Sequence, residues 1–357
     1  MEKWIFIGIL FFLFGCQSDK KAQPETVSTR LITNIEDVRL REAPGENSKV
    51  LSSLPKGTVL YDLGEVSNFT TKVQLRGIQF DEPWLKVRTE DGTAGWVYGG
   101  SLHFTMSDPS KLATLLMEKR LQTLFGKLLA DSIRAYRQDF QAVQSAQGFA
   151  AMYRKGTTLR DTMVGLMEAR IPVGDPDERP DLFWLEQAMP SFVPQLVAEG
   201  TIYYLFWDYK QLITKAKATK ETDDDDFVNL AMAIFPEDSI EFFYPVWFMQ
   251  TWDYGGSSLL GRGLHYKMLA KMDEALQKSD LFAPEIMEWK SLLVNDITDF
   301  NVTYWEAKEK IVAELDTIVT ANYKILTAAD KIALQTRRKQ FEMPVENKIQ
   351  VNQQSGN

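Results

Sequence analysis

Few side chains in this sequence could do chemistry, and their types narrow the choices at once. Cys16 is the only cysteine among 357 residues, and His103 and His265 are the only histidines. One cysteine excludes an intramolecular disulfide and any multi-cysteine zinc site, and two histidines leave most metal and acid–base schemes short of groups. Asp223-Asp224-Asp225-Asp226 is a dense acidic run. Calcium loops alternate their ligands with turn residues and carry a glycine, whereas four adjacent aspartates cannot all face one ion. The run is expected to be a solvated segment whose charge favours the start of the following helix. Gly256-Ser257-Ser258-Leu259-Leu260-Gly261-Arg262-Gly263 is glycine-rich like a phosphate loop, but Arg262 and Gly263 stand where lysine and Ser/Thr are needed. It reads as a turn between helices. It is also the first place to look for a site in that half, because glycines admit close backbone approach and Arg262 could grip an anion. The remaining candidates are aromatic: Tyr61, Trp84, Trp96 and Tyr98. No catalytic residue, metal ligand or cofactor is assigned from this set.

The chain is 45% hydrophobic and 25% charged with a net charge of −9, an ordinary globular balance with room for two domains. Its charges are interleaved and its pI is near 5.0, which argues against nucleic acid as a partner. The apolar run from Trp4 to Gly15 is shorter than the roughly 20 residues a spanning helix needs and resembles the core of a secretory signal peptide. Leu13-Phe14-Gly15-Cys16 then resembles the lipobox of bacterial lipoproteins, with Phe14 bulkier than usual at its position. That resemblance implies cleavage after residue 15, a diacylglyceryl group on Cys16 and a membrane held through the N-terminal lipid, since two or more acyl chains anchor stably. It removes the only thiol from any catalytic scheme. Residues 16–30 are expected to be a lipidated polar tether.

Residues 31–105 alternate β-branched and aromatic runs with turn residues. Asp91-Gly92 is a strong hairpin signal, and several short strands at close spacing imply a small all-β barrel. Three segments carry a further resemblance: Asp37-Val38-Arg39-Leu40-Arg41-Glu42-Ala43-Pro44, Lys56-Gly57-Thr58-Val59, and Trp84-Leu85-Lys86-Val87 through Asp91-Gly92 to Gly95-Trp96-Val97. Together they resemble the bacterial SH3-type domain. The resemblance implies a shallow groove of exposed aromatics for peptide-like or cell-wall ligands, with Trp84, Tyr98 and Tyr61 as binding residues. Trp96 is expected in the core, while Trp84 and Tyr98 suit either role. Residues 67–83 exceed the family minimum and are expected to form an extra hairpin that could reshape the groove.

Residues 106–343 are expected to form an all-α domain. Ser107-Asp108-Pro109 is a helix start, and Leu121, Leu124, Phe125, Leu128 and Leu129 repeat as one apolar stripe. Further helices are expected near 158–170, 181–189, 191–217, 226–235, 238–252, 258–278, 284–297, 301–325 and 327–341. The aromatic runs at 203–209 and 242–252 are read as buried helices, and 344–357 as a disordered tail. The expected whole is multidomain: a small all-β SH3-like barrel followed by an all-α domain. Its expected role is that of a lipoprotein of the bacterial cell envelope, a non-enzymatic binding or scaffold protein whose partner is peptidoglycan or an envelope protein. The alternative is a cell-wall glycosidase, which needs only carboxylates; thiol and zinc hydrolases are excluded by the residue counts.

Overall fold

A computed structural model of the chain describes residues 30–75, 78–104, 111–171, 182, 184–197, 202–236, 244–250 and 256–353. The segment expected to be a signal peptide, Cys16, most of the expected tether and Ser107-Asp108-Pro109 lie outside the described residues.

The N-terminal part is one antiparallel sheet. Its strands are β1 (Arg30–Thr33), β2 (Val38–Arg41), β3 (Val50–Leu54), β4 (Val59–Leu75), β5 (Ile78–Thr89), β6 (Ala94–Tyr98) and β7 (Leu102–Phe104), ordered β3-β2-β6-β5-β4-β1-β7. Alternation along the strands sends Leu31, Leu40, Leu60, Leu85, Val87 and Val97 to one compact core. The turn residues do backbone work. Asp37 adopts φ 56, a left-handed conformation that a short polar side chain tolerates, and its carboxylate accepts a hydrogen bond from Ser53 Oγ at 3.0 Å. Gly92 sits at φ 90 in the β5–β6 turn. At Gly95 a Cβ would come within 2.7 Å of Leu40 and 2.8 Å of the Arg41 carbonyl, so only glycine lets β6 close on β2.

Residues 67–83 form no separate hairpin. They extend β4 and β5 into one long arm, continuous with the first part of each strand through register shifts between Asp62 and Val66 and between Val66 and Thr70. Phe80, on this arm, packs against the helical core.

The rest is helical, with exceptions. Its helices are α1 (Lys111–Phe125), α2 (Lys127–Ala142), α3 (Ala146–Arg170), α4 (Leu185–Ala188), α5 (Tyr209–Ala216), α6 (Asp223–Ile234), α7 (Leu264–Lys278), α8 (Ala283–Thr298), α9 (Lys308–Thr320) and α10 (Ala328–Gln340). Gly126, at φ 81, breaks the stripe from Leu121 to Leu129 into two helices and leaves Leu128 85% exposed. The all-α expectation needs correction at two places. Residues 191–217 contain a hairpin, β8 (Phe192–Val197) paired with β9 (Ile202–Trp207), ahead of the short α5. Within 242–252, Phe248–Gln250 is a strand, β10, paired with β11 (Gly256–Ser258). Both were short, aromatic-rich apolar runs, which periodicity cannot assign between buried helix and strand, and Pro194 disfavours a helix at its own position. The tail also needs correction. Ile349 is buried, and Tyr304 N–H donates to the Gln350 carbonyl at 2.9 Å, so residues 344–353 pack onto the bundle.

Candidate functional site

Cross-strand pairing decides which side chains share the outer face of the sheet, because directly opposed residues point the same way. Tyr61 pairs with both Arg88 and Arg30, Lys86 with Trp96, Arg41 with Trp96, and Trp84 with Tyr98. The face therefore holds three of the sequence-derived candidates, Tyr61, Trp84 and Tyr98, among four cations. Lys86 Nζ lies 5.9 Å from the centre of the Trp96 ring and Arg41 5.8 Å from that of Trp84, both within cation–π range. Lys86 is paired with Glu65 at 2.7 Å.

The two ends of this face differ. Tyr61 and Trp96 are half-buried and Arg88 is exposed, so one end is open. At the other end Trp84 is only 3% exposed and Tyr98 7%, because the long arm closes over them. Trp84 Nε1 donates to Thr71 Oγ1 at 2.9 Å and Tyr98 OH to the Thr71 carbonyl at 2.7 Å, while the two rings meet edge to face at 5.6 Å. Burial pushes the Tyr98 phenol well above its ordinary pKa. Trp84 and Tyr98 thus floor the face rather than line it, and Trp96, expected inside, is the tryptophan that reaches solvent.

This arrangement of strands, turns and paired aromatics agrees with a known family. Residues 36–103 match the model of the bacterial SH3 domain. No curated protein matches the chain with significance. The SH3 domain is joined to the helical half by a contact the sequence reading missed. Arg120 of α1 is 1% exposed and reaches Glu82 of the arm, Nε to Oε1 at 3.0 Å. Its Nη2 donates to the Gly99 carbonyl at 2.8 Å and also to that of Leu102. Burial raises the pKa of Glu82 more than Arg120 lowers it. The signal was present: Arg120 stands on the apolar face of α1 between the buried Met117, Leu121 and Leu124.

The glycine-rich segment 256–263 is an anion loop that already holds an anion. Gly261 N–H and Gly263 N–H donate to Glu314 Oε2 at 2.6 and 2.8 Å, and Tyr266 N–H to Oε1 at 3.2 Å. These N–H groups cluster at the start of α7, where a negative charge is favoured. Arg262 turns outward to Glu306, 2.7 Å from Nε to Oε1, and Lys310 shares that carboxylate at 2.7 Å. Arg262 thus has an ion-pair partner within the chain, while 38% of its side chain stays exposed.

Beside the loop, Ser258, His265 and Asp296 meet, but not as a nucleophile relay. Asp296 Oδ2 stands between the other two, accepting from Ser258 Oγ at 2.5 Å and lying 2.7 Å from His265 Nε2, while Ser258 and His265 are 3.5 Å apart. A nucleophilic serine needs the base as its direct partner and access to substrate. Ser258 and His265 are fully buried, so the cluster ties β11, α7 and α8 together. The four aspartates form the first turn of α6 itself. Asp224 is buried and accepts from Thr219 Oγ1 at 3.0 Å. Among the described residues no group of three or more His, Cys, Asp or Glu could hold a metal.

Proposed function

We propose that the chain is an envelope lipoprotein that binds, without catalysis, an extended carboxylate-bearing peptide on the open end of its SH3 domain. The reading rests on one observation: Arg30, Arg41, Lys86 and Arg88 share one sheet face with Tyr61 and the half-exposed Trp96. Stiff extended ligands suit aromatic-lined faces, and cations select carboxylates. Peptidoglycan stem peptides have both properties; a protein partner with an acidic extended segment is the other source of the same chemistry. Trp84 and Tyr98 position the face from below, and Arg262 is assigned to the loop rather than to the ligand. The lipid on Cys16 would hold the domain at a membrane, and loss of lipid label in Cys16→Ser tests that part.

Co-sedimentation of the full chain with purified sacculi tests the binding. Retention that falls at least tenfold in Trp96→Ala and in Lys86→Glu supports the proposal. No retention of the wild type removes peptidoglycan as the ligand. Retention that survives both substitutions removes this face.

A further inference from the structure

A cleft of about 390 Å³ opens in the helical half, between α3, β9, the start of α5 and α8. That size suits a small molecule, and none of its lining residues belongs to the SH3 domain. Four charged side chains line it, Arg154, Arg160, Glu285 and Glu288. The chain uses them unequally.

Arg154 and Glu285 satisfy each other. Arg154 Nε meets Glu285 Oε1 at 2.6 Å and Nη2 meets Oε2 at 3.1 Å, a matched two-point contact. Arg160 has no such match. Its Nε and Nη2 converge on one oxygen of Asp161, both at 2.8 Å, whereas two oxygens complete a guanidinium fork. The Asp161 side chain is 61% exposed, and a pair with so exposed a carboxylate contributes little. Arg160 itself keeps 19% of its side chain exposed, so the cation is open to a ligand. Glu288 is exposed, and the two arginines of the lining are paired with Glu285 and Asp161 instead.

The cleft thus offers one under-used cation and one spare carboxylate. The same lining is apolar at Tyr204, Phe235, Trp289 and Leu292, of which Leu292 is 46% exposed. A ligand of a single sign would meet one of the two charges favourably and the other as a like charge. A ligand that carries both signs satisfies both.

We propose that this cleft binds a small zwitterion with an apolar side chain, its carboxylate on Arg160 and its ammonium on Glu288. Free amino acids and short peptides with unblocked termini share this chemistry and differ in the distance between their charges.

Calorimetric titration of the full chain with L-phenylalanine and with L-alanyl-L-phenylalanine separates the two sources, and the tighter of them becomes the probe. Saturable binding of at least one is expected. The C-terminal amide and the N-acetyl form of the probe should each bind about tenfold more weakly, the loss of one charge-assisted contact. Arg160→Gln should weaken the probe to a similar degree and leave the amide unchanged, while Glu288→Gln should weaken the probe and leave the acetyl form unchanged. Glu288 is exposed, so Glu288→Gln should keep the wild-type melting temperature and carries the test if Arg160→Gln fails to fold. Four outcomes would overturn the proposal: no saturable heat with either compound, blocked forms that bind as tightly as the probe, affinity unchanged in Glu288→Gln, or binding lost in Trp96→Ala, which would place the ligand on the SH3 face.

Discussion

Glu82 and Glu314 are both buried carboxylates, one in the SH3 arm and one in α9, and they are held in different ways. Glu314 has its carboxylate shared among three backbone N–H groups, two in the glycine-rich loop and one in the first turn of α7. Glu82 is paired with a side chain brought from another structural unit, Arg120, and its Oε2 is buried without a hydrogen-bond partner among the described residues. Backbone donors come pre-positioned by the fold around them and cannot leave. A side-chain partner from across a seam is present only while the two units stay docked. The loop around Glu314 should therefore be a fixed part of the bundle, and the seam the place where the two halves can be separated.

Arg120→Ala should have the largest effect. It leaves Glu82 buried without its countercharge, and breaking such a pair costs about 3–5 kcal/mol, read as a lower midpoint in urea unfolding. The double variant Glu82→Gln, Arg120→Met should recover most of that loss. A cost below about 1 kcal/mol for Arg120→Ala, the value of a surface pair, would mean that the seam is open in solution and would break the comparison.

Glu314→Ala should come next, at about 2–4 kcal/mol, because three N–H groups lose an acceptor worth roughly 1 kcal/mol each. Hydrogen exchange at Gly261, Gly263 and Tyr266 should accelerate while the SH3 domain stays protected. Global unfolding in its place would show that the loop and the seam are one cooperative unit.

Gly156→Ala should cost about 1–3 kcal/mol through overpacking, against the gain that helix propensity alone would give. A Cβ there would lie 2.7 Å from Trp207 and 2.8 Å from Tyr136. A melting temperature equal to or above wild type would show that Trp207 has room to move.

Acid should give the smallest effect, with opposite signs in the two regions. Burial pulls the Asp330 carboxyl upward, but hydrogen bonds from Lys290 and Thr327 outweigh it and hold the group below its ordinary range. Lys310 and Arg262 depress Glu306 in the same direction. Stability from these two is present above the unfolded carboxylate value of about 4 and is lost as pH falls through their lower folded values. Glu82 is raised, so its contribution is complete below about 4 and declines as pH rises through its folded value. Melting curves between pH 6 and pH 3 should show the bundle weakening, and Glu82→Gln should leave that trend in place while removing the opposing one.

The SH3 domain was legible because its marker residues perform backbone tasks that few other residues can: Asp37 at φ 56, Gly92 at φ 90, and Gly95 against Leu40. The later helices were legible from their stripes, with α6, α8 and α10 within a few residues of expectation. The β8–β9 hairpin was not, since a six-residue aromatic strand and a buried helix segment look alike until a pairing partner is known. The arm misled in a different way. Its alternation was read correctly, but nothing local says that it folds over Trp84 and Tyr98 and turns them from ligand contacts into floor. Glu82 and Arg120 could have been suspected only from a charge standing on an apolar stripe.

The place of β1 has a mechanical consequence. It is not an edge strand: it is hydrogen-bonded to β4 on one side and to β7 on the other, directly after the segment proposed as a tether. Tension drawn along β1 would load both ladders in shear, so several hydrogen bonds would have to fail together rather than unzip one at a time. A domain strained between a membrane and a wall would thus take the load at a strand braced on both sides.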